Sequence, residues 1–280
     1  MARIRVVTDS ACDLSADVAA EHGVTIVPLT IRFGAEEFVD GRDLSTEEFW
    51  SRCKASEVLP ETAAPSPGAF QEAFLAAADD GCDGVFCIDL SGALSATYQA
   101  AVAAAKAVAD RIDVRVVDSR SVTMGLGLMV LDAAEQAAAG ANLDSLEARA
   151  GELVSHSSVY GAVDNLEHLT KGGRIGGARA LLGSMLSIKP VVALVDGVVE
   201  EESKQRTRAR SLQYLADKMR DSPPLSRVAI AHGAATDIDT FLALIEDVPS
   251  DHPLVVGQLG PVIGTHTGPG TVGLCMITRS

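Results

Sequence analysis

The alternation of strand-like and helix-like segments is the feature that most constrains how this chain can fold. In the first half, β-branched runs at residues 4–8, 24–33, 85–90 and 114–117 are separated by segments that carry helix signals. Strands that alternate with helices predict a mostly parallel sheet flanked by helices. We therefore expect an α/β fold, and ligands of such folds bind at the carboxyl ends of the strands.

Serines mark the starts of three helices in this half. Ser15 can cap a short helix, and Ser45-Thr46-Glu47-Glu48 is a capping box. Ser66-Pro67 places proline at the first position of a third helix. An alanine-rich helix is expected over about 95–109, and a long helix over about 122–139. These helices occupy the stretches between the predicted strands.

The second half of the chain contains a hairpin signal. Strand-like residues 190–195 and 198–203 flank Asp196-Gly197, a pair typical of two-residue hairpin turns. A hairpin combined with helices predicts an α/β domain with a mixed sheet. We expect an N-terminal domain of residues 1–157 and a C-terminal domain of residues 158–280.

The charge and the cysteines limit the classes of partner. The net charge of −15 argues against nucleic acid and against an anionic membrane surface, because both bind basic patches. No apolar run reaches roughly 18 residues, so we expect neither a membrane span nor a signal peptide. The five cysteines contain no C-x-x-C pair. This pattern is typical of reduced thiols in the cytoplasm and argues against a cysteine zinc site.

The segment Gly264-Thr265-His266-Thr267-Gly268-Pro269-Gly270 places an imidazole between two hydroxyls, among glycines and a proline. Glycine lets the backbone approach a ligand, and proline fixes φ. We expect a loop that holds a ligand, with a tight turn and a solvent-facing histidine as the alternative. The overlapping Gly268-Pro269-Gly270-Thr271-Val272-Gly273 matches G-x-G-x-x-G. A dinucleotide site also needs a following helix and an acidic residue further along the chain. The residues that remain after Gly273 are typical of a strand, so we do not expect a dinucleotide site.

Two hydroxyl residues stand near predicted helix starts. Thr62 precedes the helix that begins near Pro67, and Ser95 lies between a buried strand and the alanine-rich helix. A hydroxyl beside the free N–H groups of a helix N-terminus suits one carboxylate. The small side chains of the alanine-rich helix would leave room for a long apolar ligand beside the sheet. Alternatively, the alanines serve only helix propensity.

Polar residues also follow the predicted strands. They are Asp9, Ser10, Ser91, Ser95, Asp118 and Ser119. Side chains of these types hydrogen-bond to nearby backbone at turns and helix caps. For Asp118 and Ser119 we expect this role rather than contact with a ligand.

Taken together and in order, these motifs resemble those of the DegV family of bacterial fatty-acid-binding proteins, over nearly the whole chain. The matching segments are Thr8-Asp9-Ser10, Thr62, Leu94-Ser95-Ala96-Thr97-Tyr98, Asp118-Ser119, Lys171-Gly172-Gly173-Arg174-Ile175 and Gly264-Thr265-His266-Thr267-Gly268-Pro269-Gly270. The chain departs from the family pattern at Ala63 and Ala64, where the family has Ser-Gln, and at Ala96, where it has Gly. The extra methyl group of Ala96 would tighten the approach of a carboxylate.

The resemblance implies a carrier rather than an enzyme, with no cofactor and no metal. Family members bind one long-chain fatty acid in a tunnel between two domains. They present its carboxylate to a partner kinase, which makes acyl phosphate for phospholipid synthesis, and an acyltransferase is a further candidate partner. On this resemblance, Thr62, Ser95 and His266 bind the carboxylate, while Arg174 and Arg206 face the partner. Neutral hydroxyls would hold the carboxylate without an arginine that buries both oxygens.

Two other functions stay open at this point. In a serine hydrolase, Ser95 would be the nucleophile and His266 the base. Gly92-Ala93-Leu94-Ser95-Ala96 lacks the G-x-S-x-G elbow, however, and no acid is marked as the orienting group. The second open function is that of a sensor or binding module for an unrelated small molecule. Lys171-Gly172-Gly173-Arg174 is not a P-loop, so we do not expect the protein itself to bind ATP.

Overall fold

Strands and helices alternate through the computed structural model, which describes residues 3–56, 58–183 and 188–279. The strands are β1 (Ile4–Asp9), β2 (Thr25–Val27), β3 (Thr30–Phe33), β4 (Glu36–Val39), β5 (Glu61–Ala63), β6 (Gly84–Asp89), β7 (Asp113–Asp118), β8 (Ser157–Ala162), β9 (Lys189–Val195), β10 (Val198–Gln205), β11 (Leu225–His232), β12 (Val255–Gln258) and β13 (Val272–Thr278). The α-helices are α1 (Ala16–Glu21), α2 (Thr46–Ala55), α3 (Pro67–Asp79), α4 (Thr97–Ala107), α5 (Thr123–Ala138), α6 (Leu143–His156), α7 (Glu167–Lys171), α8 (Arg208–Arg220), α9 (Ile238–Ile245) and α10 (Pro261–Thr267). Short 3₁₀ helices span Ser10–Cys12 and Gly176–Gly183.

The strands form three sheets. A parallel sheet has the order β2-β1-β6-β7, and a mixed sheet has the order β10-β9-β8-β13-β11-β12. A small antiparallel sheet has the order β4-β3-β5. Side chains of the parallel sheet alternate between its faces, so Val7 packs with α3 and α4 while Val6 packs with α5 and α6. The predicted α/β class, with one parallel and one mixed sheet, is confirmed.

Local caps and turns explain why the helices and the hairpin form where the sequence predicts them. The Ser45 hydroxyl accepts a hydrogen bond from the Glu48 N–H, and the Glu48 carboxylate accepts one from the Ser45 N–H at 3.0 Å. The hydroxyls of Ser15 and Ser66 likewise accept from the backbone N–H groups of Val18 and Ala69 and so cap α1 and α3. Asp196-Gly197 joins β9 to β10, with φ of 49° and 81°. Both values lie in the left-handed region that a two-residue hairpin turn requires.

Residues 24–33 are not one strand as predicted. The chain leaves the parallel sheet after Val27, because Pro28 has no N–H for a continuing ladder. The Leu29 N–H donates instead to the Ser10 hydroxyl at 3.1 Å, and β3 then joins the antiparallel sheet. The sequence patterns gave no indication of β4 or β5, although β5 carries Thr62.

The two halves of the chain share a core. The parallel sheet uses only segments before residue 119, and the mixed sheet only segments from residue 157 onward. The largest apolar cluster nevertheless draws on both halves, with Val6, Phe86, Leu126, Ala231, Val262 and Cys275 among its members. The division into domains at residue 157 therefore stays a prediction.

Candidate functional site

The glycine-rich segment around His266 is largely helical, so the predicted loop is wrong. Helix α10 begins at Pro261, whose fixed φ suits the first helical position. It ends at Thr267, and Gly268 then takes a φ of 77°, a positive value that favours glycine. Only the residues after Thr267 form a turn. His266 lies in the last turn of the helix.

Gly264 allows α10 to pack closely against α2. A Cβ atom at Gly264 would lie 2.7 Å from Cε1 of Phe49 and 2.8 Å from Cζ2 of Trp50. Both aromatic residues are buried, and Nε1 of Trp50 donates to the Leu259 carbonyl at 3.0 Å. This glycine therefore serves helix packing rather than the approach of a ligand. It holds the helix that carries His266 against the first half of the chain.

Asp13 holds the other end of α10. Gly260, at the N-cap position, has no side chain to cap the helix. Oδ1 of Asp13 accepts from the Gly260 N–H at 3.1 Å, and Oδ2 accepts from the Thr123 hydroxyl at 2.6 Å. Burial raises the pKa of Asp13 to about 8. Sequence reasoning missed this residue, because its partner at Gly260 is 247 positions away.

The structure brings His266 and Thr62 into contact. Nε2 of His266 lies 2.9 Å from Oγ1 of Thr62. Thr62 belongs to β5, which pairs with β3, and α3 begins only at Pro67. The expectation that the Thr62 hydroxyl stands at a helix N-terminus is therefore wrong. Burial lowers the pKa of His266 to about 4, with the positive charges of Arg174 and His168 as smaller causes. The imidazole is neutral near pH 7.

The neutral imidazole determines which way the hydrogen bond to Thr62 runs. Nδ1 of His266 is buried and has no partner among the described residues. A buried N–H without an acceptor is rarer than a buried acceptor without a donor, so we assign the proton to Nε2. His266 then donates to Oγ1 of Thr62. The hydroxyl hydrogen of Thr62 is left free to point toward a ligand.

Ser95 stands at the start of α4, in the turn that follows β6. Its Oγ lies 2.8 Å from Oγ1 of Thr97 and accepts from the Thr97 N–H at 3.3 Å. Ala96, at the N-cap position, has no side-chain acceptor, so Ser95 takes over part of the capping. Ser95 therefore lies at a helix N-terminus, where the sequence pattern places it.

Polar residues at the strand ends hold the turn that carries Ser95. The carboxylates of Asp9 and Asp118 accept from the N–H groups of Leu90 and Gly92, at 2.7 Å and 3.1 Å. The Ser91 hydroxyl donates to a carbonyl in the β9–β10 hairpin at 2.7 Å, which ties this turn to the second half of the chain. Asp118 thus has the role in holding the loop that we expected.

The alanines of α4 pack against helix α3, and no residue of α4 is among those that line the cavity described next. Ala101 and Ala104 of α4 are fully buried in a cluster with Phe70 and Phe74 of α3. The phenyl rings fill the space that the small side chains leave. The alanines therefore allow two helices to pack closely.

A narrow cavity lies between the two halves of the chain. Thr62, Ser95, Arg174 and His266 line it, and the rest of its wall is apolar apart from Thr267: Leu29, Leu90, Leu94, Val122, Leu169, Leu194, Val199, Val262 and Ile263. Its open volume is about 70 Å³. Thr62, Arg174 and His266 also line an outer basin of about 550 Å³. These shared residues mark the polar end of the cavity.

Arg174 lies at the cavity itself and not only on the surrounding surface. The half-buried guanidinium donates from Nε to the Leu94 carbonyl at 3.2 Å and from Nη1 to the Gly172 carbonyl at 2.6 Å. Among the described residues, no carboxylate hydrogen-bonds to it. It therefore offers a positive charge and further N–H donors to an anion. That Thr62, Ser95 and His266 bind a carboxylate stays a prediction, and Arg174 lines the same cavity beside them.

Arg206 lies apart from the other predicted site residues. It is exposed, between the end of β10 and the start of α8. It belongs to the lining of neither the cavity nor the outer basin. Its contact with a partner protein stays a prediction.

The residues do not have the geometry of a serine hydrolase. Oγ of Ser95 is hydrogen-bonded to Oγ1 of Thr97, and Nε2 of His266 is hydrogen-bonded to Oγ1 of Thr62. Among the described residues, no carboxylate orients the imidazole, because Nδ1 has no partner there. A nucleophile needs a hydrogen bond to its base, and the base needs an orienting group. The arrangement favours binding over nucleophilic catalysis.

The described part of the chain holds neither a cluster of metal-ligating side chains nor a helix that could span a membrane. No group of three or more His, Cys, Asp or Glu side chains in those residues is placed to hold a metal ion. None of the helices described above is long and apolar enough to cross a membrane. All five cysteines are free thiols. The polar chemistry of the cavity comes from hydroxyl, imidazole and guanidinium groups.

The fold and the site together define an α/β protein with an apolar cavity that ends in hydrogen-bond donors and a positive charge. The chain belongs to the DegV family, because the family model described as "Uncharacterised protein, DegV family" matches residues 3–279. A DegV domain-containing protein of Streptomyces coelicolor is 37% identical, over 99% of this chain and 99% of that protein. A DegV domain-containing protein of Mycobacterium tuberculosis is 35% identical, over 97% of this chain and 96% of that protein.

Solved structures agree with this fold over nearly their full length. A DegV family protein from Thermus thermophilus, described as fatty acid binding, has a TM-score of 0.91 at 32% identity, covering 99% of this chain and 100% of that one. DegV from Bacillus subtilis, described as a fatty acid binding protein, has a TM-score of 0.88 at 29% identity, with 100% of both chains covered. A stearic-acid-binding protein from Eubacterium ventriosum has a TM-score of 0.84 at 25% identity, covering 99% and 98%.

Proposed function

We propose that this protein binds a long-chain fatty acid in the cavity, with the carboxylate beside Thr62, Ser95, Arg174 and His266. The observation that carries the proposal is the meeting of hydroxyl donors and an arginine at the polar end of an otherwise apolar cavity. One guanidinium balances the charge of one carboxylate, and apolar walls suit an alkyl chain. Two solved relatives are described as fatty acid binding and a third as binding stearic acid, which supports the same ligand class.

The polar residues have distinct tasks in this proposal. Thr62 donates its hydroxyl hydrogen to one carboxylate oxygen, since His266 already donates to Oγ1 of Thr62. Ser95 and the free N–H groups at the start of α4 offer further donors. Arg174 supplies the positive charge. The main task of His266 is to orient the Thr62 hydroxyl, and direct contact with the ligand is secondary.

The alkyl chain supplies most of the affinity. Burying about twelve methylene groups at ~0.8 kcal/mol each gives about 10 kcal/mol before the costs of ordering. One hydrogen bond to the carboxylate adds about 1.5–3 kcal/mol. The open volume of about 70 Å³ lies below the roughly 300–1,000 Å³ of ordinary ligand pockets. Apolar side chains of the wall must therefore move apart to admit a whole acyl chain.

The outer basin supports the second part of the proposal, in which a partner kinase phosphorylates the bound acid. The basin reaches Thr62, Arg174 and His266 from the surface, so the carboxylate would be accessible there. In the reaction, a carboxylate oxygen forms a bond to the γ-phosphorus of ATP held by the partner. The bond from that phosphorus to the β,γ-bridging oxygen breaks, and ADP leaves. In the next step, we expect an acyltransferase to use the acyl phosphate for phospholipid synthesis.

Ligand analysis tests the first part directly. The protein is purified from a bacterial host, and its bound small molecules are extracted and identified by mass spectrometry. We expect a long-chain fatty acid in a ratio approaching one per chain. Protein that carries no fatty acid, and takes none up when it is added, would contradict the proposal.

A covalent probe separates binding from hydrolysis. A fluorophosphonate reacts with an activated serine, and Ser95→Ala is the matched control. We expect no labelling of Ser95, because its hydroxyl is bonded to Thr97 and not to His266. Labelling of the natural protein that disappears in Ser95→Ala would favour the hydrolase.

A further inference from the structure

The C-terminal ends of α7 and α10 interlock through two contacts between a histidine and a glycine. Helix α7 carries His168 and is followed by Gly172 at its C-cap, and α10 carries His266 and is followed by Gly268 at its C-cap. A Cβ atom at Gly172 would collide with Nδ1 of His266. A Cβ atom at Gly268 would lie 2.6 Å from Cδ2 of His168. Each imidazole therefore covers the C-cap glycine of the other helix, and we refer to these four residues as the histidine clasp.

A hydrogen bond strengthens the clasp next to His266. Nδ1 of His168 lies 2.9 Å from the carbonyl oxygen of Thr265. Since the oxygen can only accept, Nδ1 carries the proton and donates. The bond fixes the backbone one residue before His266. α7 thus acts on both the backbone and the side chain at the end of α10.

Gly172 needs to be glycine for space and not for conformation. Its φ of −72° is one that any residue adopts. What a side chain would meet is the imidazole of His266, with Cε1 at 3.1 Å, and the His168 carbonyl oxygen at 3.0 Å. The Gly172 carbonyl also accepts from Nη1 of Arg174 at 2.6 Å. One small residue thereby sets the separation between the imidazole and the guanidinium at the cavity.

We infer that Gly172 and His168 are positioning residues. The histidine clasp holds Nε2 of His266 against Thr62 and packs Nδ1 against Gly172, where Nδ1 meets no acceptor among the described residues, so the imidazole proton stays on Nε2. The ring is held from two sides, by Oγ1 of Thr62 at 2.9 Å and by the backbone of Gly172. A side chain at residue 172 forces the ring away from Thr62. The importance for a bound acid rests on the proposed function, whereas the contact and the position of the proton do not.

Nitrogen NMR of the imidazoles tests the clasp without any ligand. Long-range ¹H–¹⁵N spectra distinguish the two neutral tautomers of a histidine. We expect the Nε2–H form of His266 in the natural protein, and a shift toward the Nδ1–H form or a mixture in Gly172→Ala. Gly151→Ala is the control, because residue 151 is exposed on α6 and nothing lies within 4 Å of an added Cβ. His266 signals that are identical in Gly172→Ala and the natural protein would overturn the inference.

A second pair of variants tests the same inference if Gly172→Ala does not fold. In His168→Asn, the side-chain amide can still donate to the Thr265 carbonyl, whereas in His168→Leu nothing can. We expect His168→Leu to change the His266 tautomer and His168→Asn to retain the natural one. Equal His266 spectra in these two variants would overturn the role of His168.

Fatty-acid titration of the same variants connects the clasp to binding. We expect Gly172→Ala and His168→Leu to bind the acid about tenfold more weakly, and His168→Asn and Gly151→Ala to bind it normally. A changed tautomer with unchanged affinity would overturn the positioning role and leave the proposed function intact. If the natural protein binds no fatty acid, the proposed function fails, and the NMR comparison still decides whether the clasp exists.

Discussion

Thr62 and Arg174 contribute differently to binding a carboxylate: Thr62 donates a hydrogen bond, and Arg174 supplies a positive charge. Thr62→Val keeps the shape of the side chain and removes the hydroxyl, which also leaves Nε2–H of His266 without its acceptor. We expect affinity for the acid to fall tenfold or more, since a hydrogen bond to a charged group is worth about 1.5–3 kcal/mol. Thr62→Ser should bind nearly as well as the natural protein. Calorimetric titration compares them, and equal affinity for Val and Ser would contradict the donor role.

The two arginines form a second matched pair. The family resemblance alone suggests that Arg174→Ala and Arg206→Ala both leave binding of the acid intact. The structure changes this expectation for Arg174, which lines the cavity. Arg174→Ala should weaken binding about tenfold to a hundredfold, and Arg206→Ala should change only the rate of phosphorylation by a partner kinase. The assay pairs titration with a kinase-coupled measurement. Loss of binding in Arg206→Ala but not in Arg174→Ala would reverse the assignment.

Among the secondary-structure elements, α10 depends on a close approach that only glycine permits. In Gly264→Ala, the added methyl group would lie 2.7 Å from Phe49 and 2.8 Å from Trp50. We expect the free energy of unfolding to fall by about 1–3 kcal/mol, the usual cost of overpacking. The matched change Gly151→Ala, on exposed α6, should raise it by about 0.5–1 kcal/mol. Urea unfolding measures both, and similar stabilities would contradict the packing argument.

The N-terminus of α10 makes stability depend on pH. Burial raises the pKa of Asp13 from 3.8 to about 8. Between these values Asp13 holds a proton in the folded protein that it has lost in the unfolded chain, so its contribution to the free energy of unfolding falls as pH rises from about 4 to about 8. Asp9 and Asp40 act in the same direction, because burial raises their pKa to about 7 and about 6.

Asp13→Asn isolates this contribution. Its side-chain oxygen can still accept from the Gly260 N–H, but it does not titrate. We expect the decline in unfolding free energy between pH 5 and 8 to become shallower, by at most ~1.4 kcal/mol per pH unit. Urea unfolding at several pH values gives the slopes. An unchanged slope would show that Asp13 ionises in the folded protein as it does in the unfolded chain.

The sequence predicted those elements whose signals are local. The capping box at Ser45 and the Asp196-Gly197 turn involve only neighbouring residues, and both form as expected. The three glycines and the proline of residues 264–270 predict a loop, whereas α10 continues through Gly264, which packs against Phe49 and Trp50. The strand at 24–33 failed because Val27 and Thr30 belong to different sheets. In both cases a distant contact overrides the local signal.

At the scale of the whole molecule, ligand and fold depend on each other. The cavity wall takes Leu29 and Leu90 from the first half of the chain and Leu194 and Val262 from the second. An acid that fills the cavity binds only the folded protein. Excess ligand should therefore raise the free energy of unfolding, by about 2.7 kcal/mol at a hundred times Kd. Thermal scans with and without a long-chain fatty acid test this, and an unchanged Tm at saturating ligand would contradict the site.

The sequence also reached part of the arrangement at this scale. The alternation of strands and helices was enough for the α/β class, and the order of the motifs was enough for the family. The contacts between the two halves could not be predicted from the sequence. Asp13, Arg174 and Gly172 contact residues on other elements, and no local pattern indicates such contacts. Thr62 and His266 were both singled out, yet their contact spans 204 positions and rests on the unpredicted strand β5.

Trp50 gives the protein a built-in optical reporter. It is the single tryptophan of the chain, it is 3% exposed, and its indole lies against Gly264, two residues before His266. Its fluorescence therefore arises from one known position at the junction between α2 and α10. We expect a blue-shifted emission in the native protein and a change in intensity when a fatty acid moves the cavity wall beside Val262. Fluorescence would then report movement of α10 in real time without an attached dye.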